Sequence, residues 1–167
     1  MATKRSVILN DQQIESKVRR IAYQIYESNV EEKELIIAGI DTGGYALAKM
    51  LKKNLDKISD INCKLCRVTM DKSNPLNTII TSLTKEDYKN KSLVLVDDVL
   101  NSGSTLMYGV KHFLDVSLKQ FKTAVLVNRN HKRFPVKADF KGISLSTSLN
   151  EHVKINLSKK PYEAFLE

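Results

Sequence analysis

Three short apolar runs, separated by stretches with helical periodicity, constrain the fold of this chain more than any other feature. The runs cover residues 35–40, 93–96 and 121–128, and they do not alternate with polar residues as half-exposed strands do. Residues 64–70 do alternate, and they predict one further strand. Strands that are apolar on both faces occur in parallel sheets covered by helices on both sides and joined by right-handed crossovers. The sequence therefore predicts an α/β fold with a central, mostly parallel sheet.

Apolar residues at helical spacing predict three helices between these strands. The first covers residues 11–29, and Asn10 with Gln13 forms a variant of the capping box at its start. The second covers residues 47–58 and the third covers residues 106–118. No internal repeat, low-complexity segment or linker interrupts the order of elements, so we interpret the whole chain as a single domain.

Composition limits the class of partner. Hydrophobic residues make up 42% of the 167 residues, which is enough for a core without disulfides or a structural metal. No apolar run is long enough to span a membrane and none resembles a signal peptide, so we expect a cytoplasmic protein without a membrane partner. The formal net charge of +8 favours anions such as phosphorylated metabolites, nucleic acid or acidic lipid.

Two adjacent carboxylates are the first sign of a binding site. In "SLVLVDDVLNSGSTLMYGV", residues 92–110, Asp97 and Asp98 follow an apolar run where the strand is predicted to end. The next loop leads into a helix, whose free amide groups and positive dipole suit a phosphate. A sugar phosphate would satisfy both features, with its hydroxyls on the acids and its phosphate in the loop. The alternative is that the loop only caps the helix and that the acids only form local turns.

A second polar loop is predicted to lie at the same edge of the sheet. It reads "DTGGY", residues 41–45, and it follows the apolar run at 35–40. Ligands of open parallel sheets bind beyond the carboxyl ends of the strands, so this loop and the one after the two acids should open on one crevice. Two glycines before a helix are also compatible with an ordinary tight turn.

The run "VLVDDVLNSGSTL" resembles the phosphoribosyl pyrophosphate (PRPP) signature of the type I phosphoribosyltransferases. The stretch "AVLVNRNHKRFPVKADFKGISLSTSLNEHVKI", residues 124–155, resembles one branch of that family, the bifunctional pyrimidine operon attenuators and uracil phosphoribosyltransferases. A weaker resemblance extends to the hypoxanthine phosphoribosyltransferases. The family implies a central, mostly parallel sheet flanked by helices, a small hood, a flexible lid and a homodimer.

The resemblance implies site residues position by position. Asp97, Asp98 and Lys72 of the lid would be the catalytic residues, and the two acids would hold the ribose hydroxyls. The 5'-phosphate would be bound by Asn101, Ser102, Gly103, Ser104 and Thr105. The pyrophosphate would be bound by Thr42, Gly43 and Gly44. The ring of Phe140 would stack on the base, with the backbone near Lys141 reading the base edge. The same end of the pocket would be lined by Asn128, Arg129 and His131.

The implied reaction displaces pyrophosphate from PRPP by a nitrogen of a nucleobase and gives a nucleoside 5'-monophosphate. Its transition state resembles an oxocarbenium ion, which nearby carboxylates stabilise. The implied cofactor is Mg²⁺, held mainly by substrate oxygens, with Asp97 and Asp98 as the candidate protein ligands.

The sequence departs from the family pattern in two loops. The pyrophosphate loop reads Thr42-Gly43-Gly44, where the attenuator branch has Thr-Arg-Gly. In the lid, interpreted as residues 71–90, the family has a Tyr-Arg-Asp-Asp run. Lys72 lies near the arginine position and keeps the charge without the planar fork, and Asp71 is a stand-in for the acids.

Three functions stay open from the sequence. The favoured one is transfer of the phosphoribosyl group to uracil. The first alternative is a regulator of pyrimidine genes that senses nucleotides in the same pocket and binds RNA through a basic face. The second is an enzyme for a 6-oxopurine, hypoxanthine or guanine. His131 also has a plain alternative, because it lies in a basic stretch that is typical of a solvated loop.

Overall fold

The computed structural model describes residues 5–148 and 150–167. The elements follow one another as β1 (Ser6–Leu9), α1 (Asp11–Glu27), β2 (Glu34–Ile40), α2 (Gly43–Ile58), β3 (Asn62–Thr69), β4 (Ile80–Thr81), α3 (Lys85–Tyr88), β5 (Ser92–Leu100), α4 (Ser104–Phe113), β6 (Gln120–Arg129), β7 (Phe140–Leu145), β8 (Val153–Asn156) and β9 (Glu163–Leu166). The four predicted strands are present as β2, β3, β5 and β6, and the three predicted helices are present as α1, α2 and α4.

The central sheet has six strands in the order β4-β3-β2-β5-β6-β7. Its strands pair in parallel except for β4, which is antiparallel to β3. This arrangement confirms the predicted α/β fold with a mostly parallel sheet. The chain moves outward from β2 to β3 and then returns to place β5 on the other side of β2. The carboxyl ends of β2 and β5 therefore form the topological switch point, where ligands of such sheets bind.

Helices cover both faces of the sheet and divide the core in two. The apolar sides of α1 and α2 pack on one face, through residues such as Ile14, Ile21, Leu47 and Leu51. Tyr88, Leu106 and Phe113 of α3 and α4 pack on the other face. Burial on both faces explains why the central strands have uninterrupted apolar runs.

The start of α1 was predictable and the end of α4 was not. The Asn10 side chain accepts from the N–H of Gln13, and the Gln13 side chain accepts from the N–H of Asn10, both at 2.9 Å. The helix predicted over residues 106–118 ends at Phe113 instead. Val116 and Leu118 still pack against the core, but they do so from a loop. Because these two loop residues are apolar and partly buried, their spacing in the sequence looked like a continuation of the helix.

A small antiparallel sheet forms the hood from the two ends of the chain. Its strand order is β1-β9-β8, and each of these strands has only four residues. Strands this short leave almost no periodicity in the sequence, so they were not predicted individually. Across 5–148 and 150–167, no helix is both long enough and apolar enough to cross a membrane.

The lid is shorter than the predicted segment of residues 71–90. β4 joins the edge of the central sheet, and α3 carries Tyr88 into the core, where it is 1% exposed. The Tyr88 ring lies edge-on to Phe113 with centroids 5.0 Å apart. Residues 70–79 form the longest stretch of this segment without a helix or strand. The second half of the predicted lid is therefore part of the packed body.

Candidate active site

Strand β5 continues through the two acids to Leu100, so the prediction that the strand ends before Asp97 is wrong. The reason is that β6 offers backbone partners up to the end of β5, with Asp97 paired with Val125 and Leu100 with Asn128. Asp97 is 3% exposed and Asp98 is half-buried. The sheet therefore fixes the backbone of both acids, which a loop would not do.

The β2–α2 loop lies directly against these acids. Thr42 occupies the N-cap position of α2 without a side-chain cap, and the helix begins at Gly43. A Cβ atom at Gly43 would lie 2.1 Å from Oδ2 of Asp98, and one at Gly44 would lie 2.5 Å from the carbonyl oxygen of Val96. Only glycine permits so close an approach, and the amide groups of this first turn have no helical partners. The structure therefore brings the glycine loop and the acids to one crevice.

Asp97 is a buried carboxylic acid with one cation beside it. Nζ of Lys72 lies 3.4 Å from Oδ1 of Asp97, and the N–H of Asp98 donates to the same oxygen at 2.9 Å. Burial raises the pKa of Asp97 to about 7, with the Lys72 ammonium opposing the rise and the Asp98 carboxylate adding to it. A bound cation would return Asp97 to its ionised form.

Asp71 does not share this environment. Its carboxylate accepts hydrogen bonds from the side chain and N–H of Ser73, from the N–H of Asn74 and from Nδ2 of Asn77. These bonds, with that of the Ser73 hydroxyl first, lower the pKa of Asp71. Asp71 thus shapes the lid, and its placement does not support a role as a stand-in for the family's lid acids.

The loop after β5 has the geometry of an anion site. Gly103 has a φ of +88°, in the left-handed region that favours glycine, and it is the N-cap of α4. The carbonyl oxygen of Ser102 accepts from the N–H groups of Arg133 and Phe134 at 2.7 and 3.1 Å, which fixes the loop from outside. The N–H of Ser104 donates to the Ser102 hydroxyl at 3.3 Å. The remaining amide groups at the start of α4 are available to an anion.

One cavity of about 200 Å³ joins the two acids, Lys72 and the loop after β5, whereas Thr42, Gly43 and Gly44 do not line it. Seven predicted site residues line it, namely Lys72, Asp97, Asp98, Asn101, Ser102, Gly103 and Thr105. Ser104 is not among its lining residues. Val125 of β6 and Val153 of β8 line the cavity without having been predicted. Val153 comes from the hood, so the hood contributes a wall to this cavity.

Asn128 lies at the end of β6, beside Leu100 of β5. It is 5% exposed, and its Nδ2 donates to the hydroxyl of Ser144 at 3.3 Å. Its Oδ1 is buried and accepts no hydrogen bond within the described residues. Asn128 therefore has a buried acceptor without a partner in the described part of the chain but does not line the cavity, and its role at the base end stays a prediction.

Arg129 and His131 are turned toward the protein. Arg129 is 6% exposed, and its guanidinium donates to the hydroxyl of Thr147 and to Oδ1 of Asn101. Nε2 of His131 donates to the carbonyl oxygen of Thr147 at 2.6 Å. Neither residue lines the cavity. The structure places them next to the predicted base end as residues that hold neighbouring chain segments.

Phe140 and Lys141 are not brought to the cavity. Phe140 opens the edge strand β7, pairs with Ala124, and packs its ring against the core that α1 and α2 share. The carbonyl oxygens of Lys141 and Gly142 accept from Nη2 of Arg20, at 3.1 and 2.6 Å. The predicted stacking by Phe140 and edge reading near Lys141 are therefore not supported, because core packing and Arg20 already engage these groups.

Comparison with known proteins accounts for this combination of a glycine loop, two strand-borne acids and a phosphate-type loop. The model of the phosphoribosyl transferase domain matches residues 5–157. The chain belongs to the phosphoribosyl transferase family. Members of this family named Bifunctional protein PyrR are similar over nearly the whole length. The one from Alkaliphilus metalliredigens is 33% identical, with 92% of this chain and 89% of the relative covered. The one from Bacillus subtilis is 32% identical, with 93% and 92% covered.

Solved structures agree with the family fold. A hypoxanthine-guanine phosphoribosyltransferase from Bacillus anthracis superposes with a TM-score of 0.77 at 16% identity, covering 98% of this chain and 99% of that one. A hypoxanthine phosphoribosyltransferase from Trypanosoma cruzi superposes with a TM-score of 0.78 at 13% identity, covering 100% and 94%. Identities this low bear on the fold alone.

Proposed function

We propose that this phosphoribosyl transferase family member transfers the 5-phosphoribosyl group of PRPP to a nucleobase, with uracil as the favoured base. The observation that carries the proposal is the single cavity in which the two acids and the phosphate-type loop meet, with the glycine loop against the acids. A sugar diphosphate donor needs an anion site at each end and hydroxyl acceptors between them, and these are the groups that converge here.

The donor is expected to lie across the switch point. Its 5'-phosphate would accept hydrogen bonds from the amide groups and hydroxyls of residues 101–105. Its ribose hydroxyls would donate to the carboxylates of Asp97 and Asp98. Its pyrophosphate would lie at the first turn of α2, beside Gly43 and Gly44.

Catalysis in this arrangement is mainly electrostatic. As the bond to pyrophosphate breaks, positive charge develops on the ribose, and the carboxylates of Asp97 and Asp98 stabilise that charge more than they stabilise the ground state. Lys72 lies on the lid side of Asp97 and would meet the negative charge of the leaving group. The lid residues 70–79 would exclude water while the ribose is reactive.

The donor set fits a magnesium ion that arrives with the substrate. Two carboxylates line the cavity, and in 5–148 and 150–167 no group of three or more His, Cys, Asp or Glu residues could hold a metal alone. Asp97 and Asp98 would hold the ion together with PRPP oxygens. When bound, Mg²⁺ would neutralise charge on the departing pyrophosphate.

The choice of base rests on residues beside the cavity. Asn128 pairs with Leu100, which lines the cavity, and its buried Oδ1 is an acceptor that suits an N–H group of a base. Uracil and the 6-oxopurines both carry such a group, so this contact selects neither. The preference for uracil comes from the similarity, at 33% and 32% identity, to relatives of the bifunctional pyrimidine branch.

The proposal is tested by measuring pyrophosphate release from PRPP and Mg²⁺ with uracil, hypoxanthine, guanine or orotate supplied separately. Release with uracil alone is expected. Release only with hypoxanthine or guanine would support the transferase activity but show that the base is a 6-oxopurine and not uracil. No release with any base, under conditions in which PRPP binds, would contradict the proposed activity.

A nucleotide-sensing RNA-binding regulator is the second candidate, favoured by the net charge of +8 and by the name of the bifunctional relatives. Lys132, Lys137 and Lys159 are exposed and available to phosphates. Lys160 is less available, because it pairs with Asp11 and Glu15. A regulator would bind a specific RNA with an affinity that falls steeply as salt rises, whereas weak binding without sequence preference would contradict this role.

A further inference from the structure

Arg129 is a buried cation that joins the loop after β5 to the chain segments before β8. Its Nη1 donates to Oδ1 of Asn101 at 3.0 Å, in the loop that forms the phosphate end. On the opposite side, Nε and Nη2 donate to the hydroxyl of Thr147 at 3.0 and 2.7 Å. Nη2 also donates to the carbonyl oxygens of Ser148 at 3.2 Å and Glu151 at 2.6 Å.

One of the two segments that Arg129 joins lines the cavity, and the other lies close in sequence to a residue that does. Asn101 lines the cavity directly. The segment from Thr147 to Glu151 leads within two residues to Val153, which lines the same cavity from the hood side. Arg129 itself does not line the cavity, so it acts through these neighbours.

The guanidinium of Arg129 hydrogen-bonds only to neutral groups. The Glu151 carboxylate, whose pKa is lowered by hydrogen bonds from Ser148 and also by the charge of Arg129, interacts with it at longer range. The acceptors of Arg129 are an amide oxygen, a hydroxyl and two carbonyl oxygens, and it forms no salt bridge among the described residues. A buried guanidinium with only neutral hydrogen-bond partners is costly, and a neutral amide side chain could accept and donate at this position at lower cost. An anion in the loop next to Asn101 would offset that cost.

We propose that Arg129 is a positioning residue that couples the phosphate loop to the 147–153 segment, so that an anion bound at one end of the cavity orders the other end. The coupling rests on the proposed function for the assignment of the phosphate loop. Its physical basis is that a bound phosphate draws the guanidinium and Asn101 into one geometry. The same guanidinium then holds the Thr147 hydroxyl and the two carbonyl groups more firmly.

The test is hydrogen exchange of the peptide 147–153, measured with and without saturating ribose 5-phosphate. In the wild-type protein, the ligand is expected to slow exchange in this peptide about tenfold, a typical coupling between two sites. In Arg129→Gln, ribose 5-phosphate binds more weakly, but at saturation it leaves exchange of the peptide unchanged. Arg129→Lys keeps the charge and should restore part of the response.

Two further variants keep the test interpretable. Arg133→Gln is the matched control, because Arg133 is exposed in the loop that follows Arg129 and its side chain makes no hydrogen bond or salt bridge across 5–148 and 150–167; it should respond like the wild type. Thr147→Val leaves the phosphate loop untouched and removes one shared acceptor of Arg129, so it should reduce the response even if Arg129→Gln fails to fold.

The outcomes separate this coupling from the proposed activity. Ligand-dependent slowing that persists in Arg129→Gln or is undiminished in Thr147→Val would overturn the coupling alone, as would binding to the wild type without any slowing. Failure of ribose 5-phosphate to bind the wild type would overturn both the phosphate assignment and the coupling. If ribose 5-phosphate slows hydrogen exchange in the wild type but no base gives pyrophosphate release, the coupling stands and the proposed transferase activity is wrong.

Discussion

The predicted phosphate end and the predicted base end of the site are built from different groups. At the predicted phosphate end, the backbone amides at the starts of α2 and α4 have no helical partners, and glycines set their positions. At the predicted base end, beside the cavity, the side chains of Asn128, Arg129 and His131 make hydrogen bonds to Ser144 and Thr147. A backbone-built end depends on the fold, whereas a side-chain-built end changes with each substitution. Donor binding should therefore be a property of the fold, and base choice a property of the individual chain.

The largest effect should come from the acids at the phosphate end. Asp98→Asn is expected to lower kcat about a thousandfold, since it removes a charge that stabilises the developing cation. The melting temperature should change little, because Asp98 is only half-buried. Steady-state pyrophosphate release measures this change, and Asp60→Asn, at an exposed position, is the matched control. Wild-type turnover in Asp98→Asn would contradict the proposed role of Asp98 at the ribose.

A stability effect should follow from the buried acid. The pKa of Asp97 is raised from 3.8 to about 7, mainly by burial, so folding favours the protonated form. The amount by which Asp97 lowers the free energy of unfolding is near zero below pH 3.8. It grows as pH rises between the two pKa values and reaches its full size above about pH 7. Without ligand, Asp97→Asn should therefore raise the free energy of unfolding by roughly 4 kcal/mol at pH 8, from 1.36 kcal/mol per pKa unit, and leave it nearly unchanged at pH 4.

Urea unfolding at the two pH values measures this difference. Asp115→Asn is the control, because the Asp115 side chain is 59% exposed and should show no comparable dependence on pH. A variant that is equally destabilised at both pH values would mean that the Asp97 carboxylate is ionised and well paired in the folded state.

A negative charge in the phosphate loop should weaken donor binding without unfolding the protein. Ser104→Glu places a carboxylate at the first residue of α4, where it repels a phosphate but suits the helix dipole. We expect the Kd for PRPP to rise about a hundredfold, from close repulsion between partly buried anions. Calorimetric titration measures the Kd, and Ser104→Ala is the control. Unaltered PRPP binding would show that the loop serves only as a helix cap.

The smallest effect is expected at the base end and should leave the donor end intact. Asn128→Leu removes a buried acceptor, so kcat/KM for the base should fall about tenfold while the Kd for PRPP stays constant. Phe140→Leu is the paired variant, because the ring packs in the core; it should lower stability and leave the KM for the base unchanged. A raised KM for the base in Phe140→Leu would restore the stacking role that its placement does not support.

The difference between the two ends also decides what the sequence can predict. The glycine loop, the paired acids and residues 101–105 were identified from sequence, because strand ends in a parallel sheet converge at a predictable edge. The place of Phe140 could not be read from its local pattern, since nothing there shows that β7 is the edge strand on which α1 packs. Val153 and the bridge made by Arg129 depend on contacts between residues far apart in the chain, which a single sequence does not specify.

The most direct measurement is a crystal structure of the protein with UMP, because the central claim concerns what occupies this cavity and in which orientation. We expect the 5'-phosphate to lie about 2.7–3.2 Å from the amide groups of residues 103–105, at hydrogen-bond distance, with the ribose hydroxyls on Asp97 and Asp98. UMP bound in the reverse orientation, or outside the cavity, would contradict the proposed site.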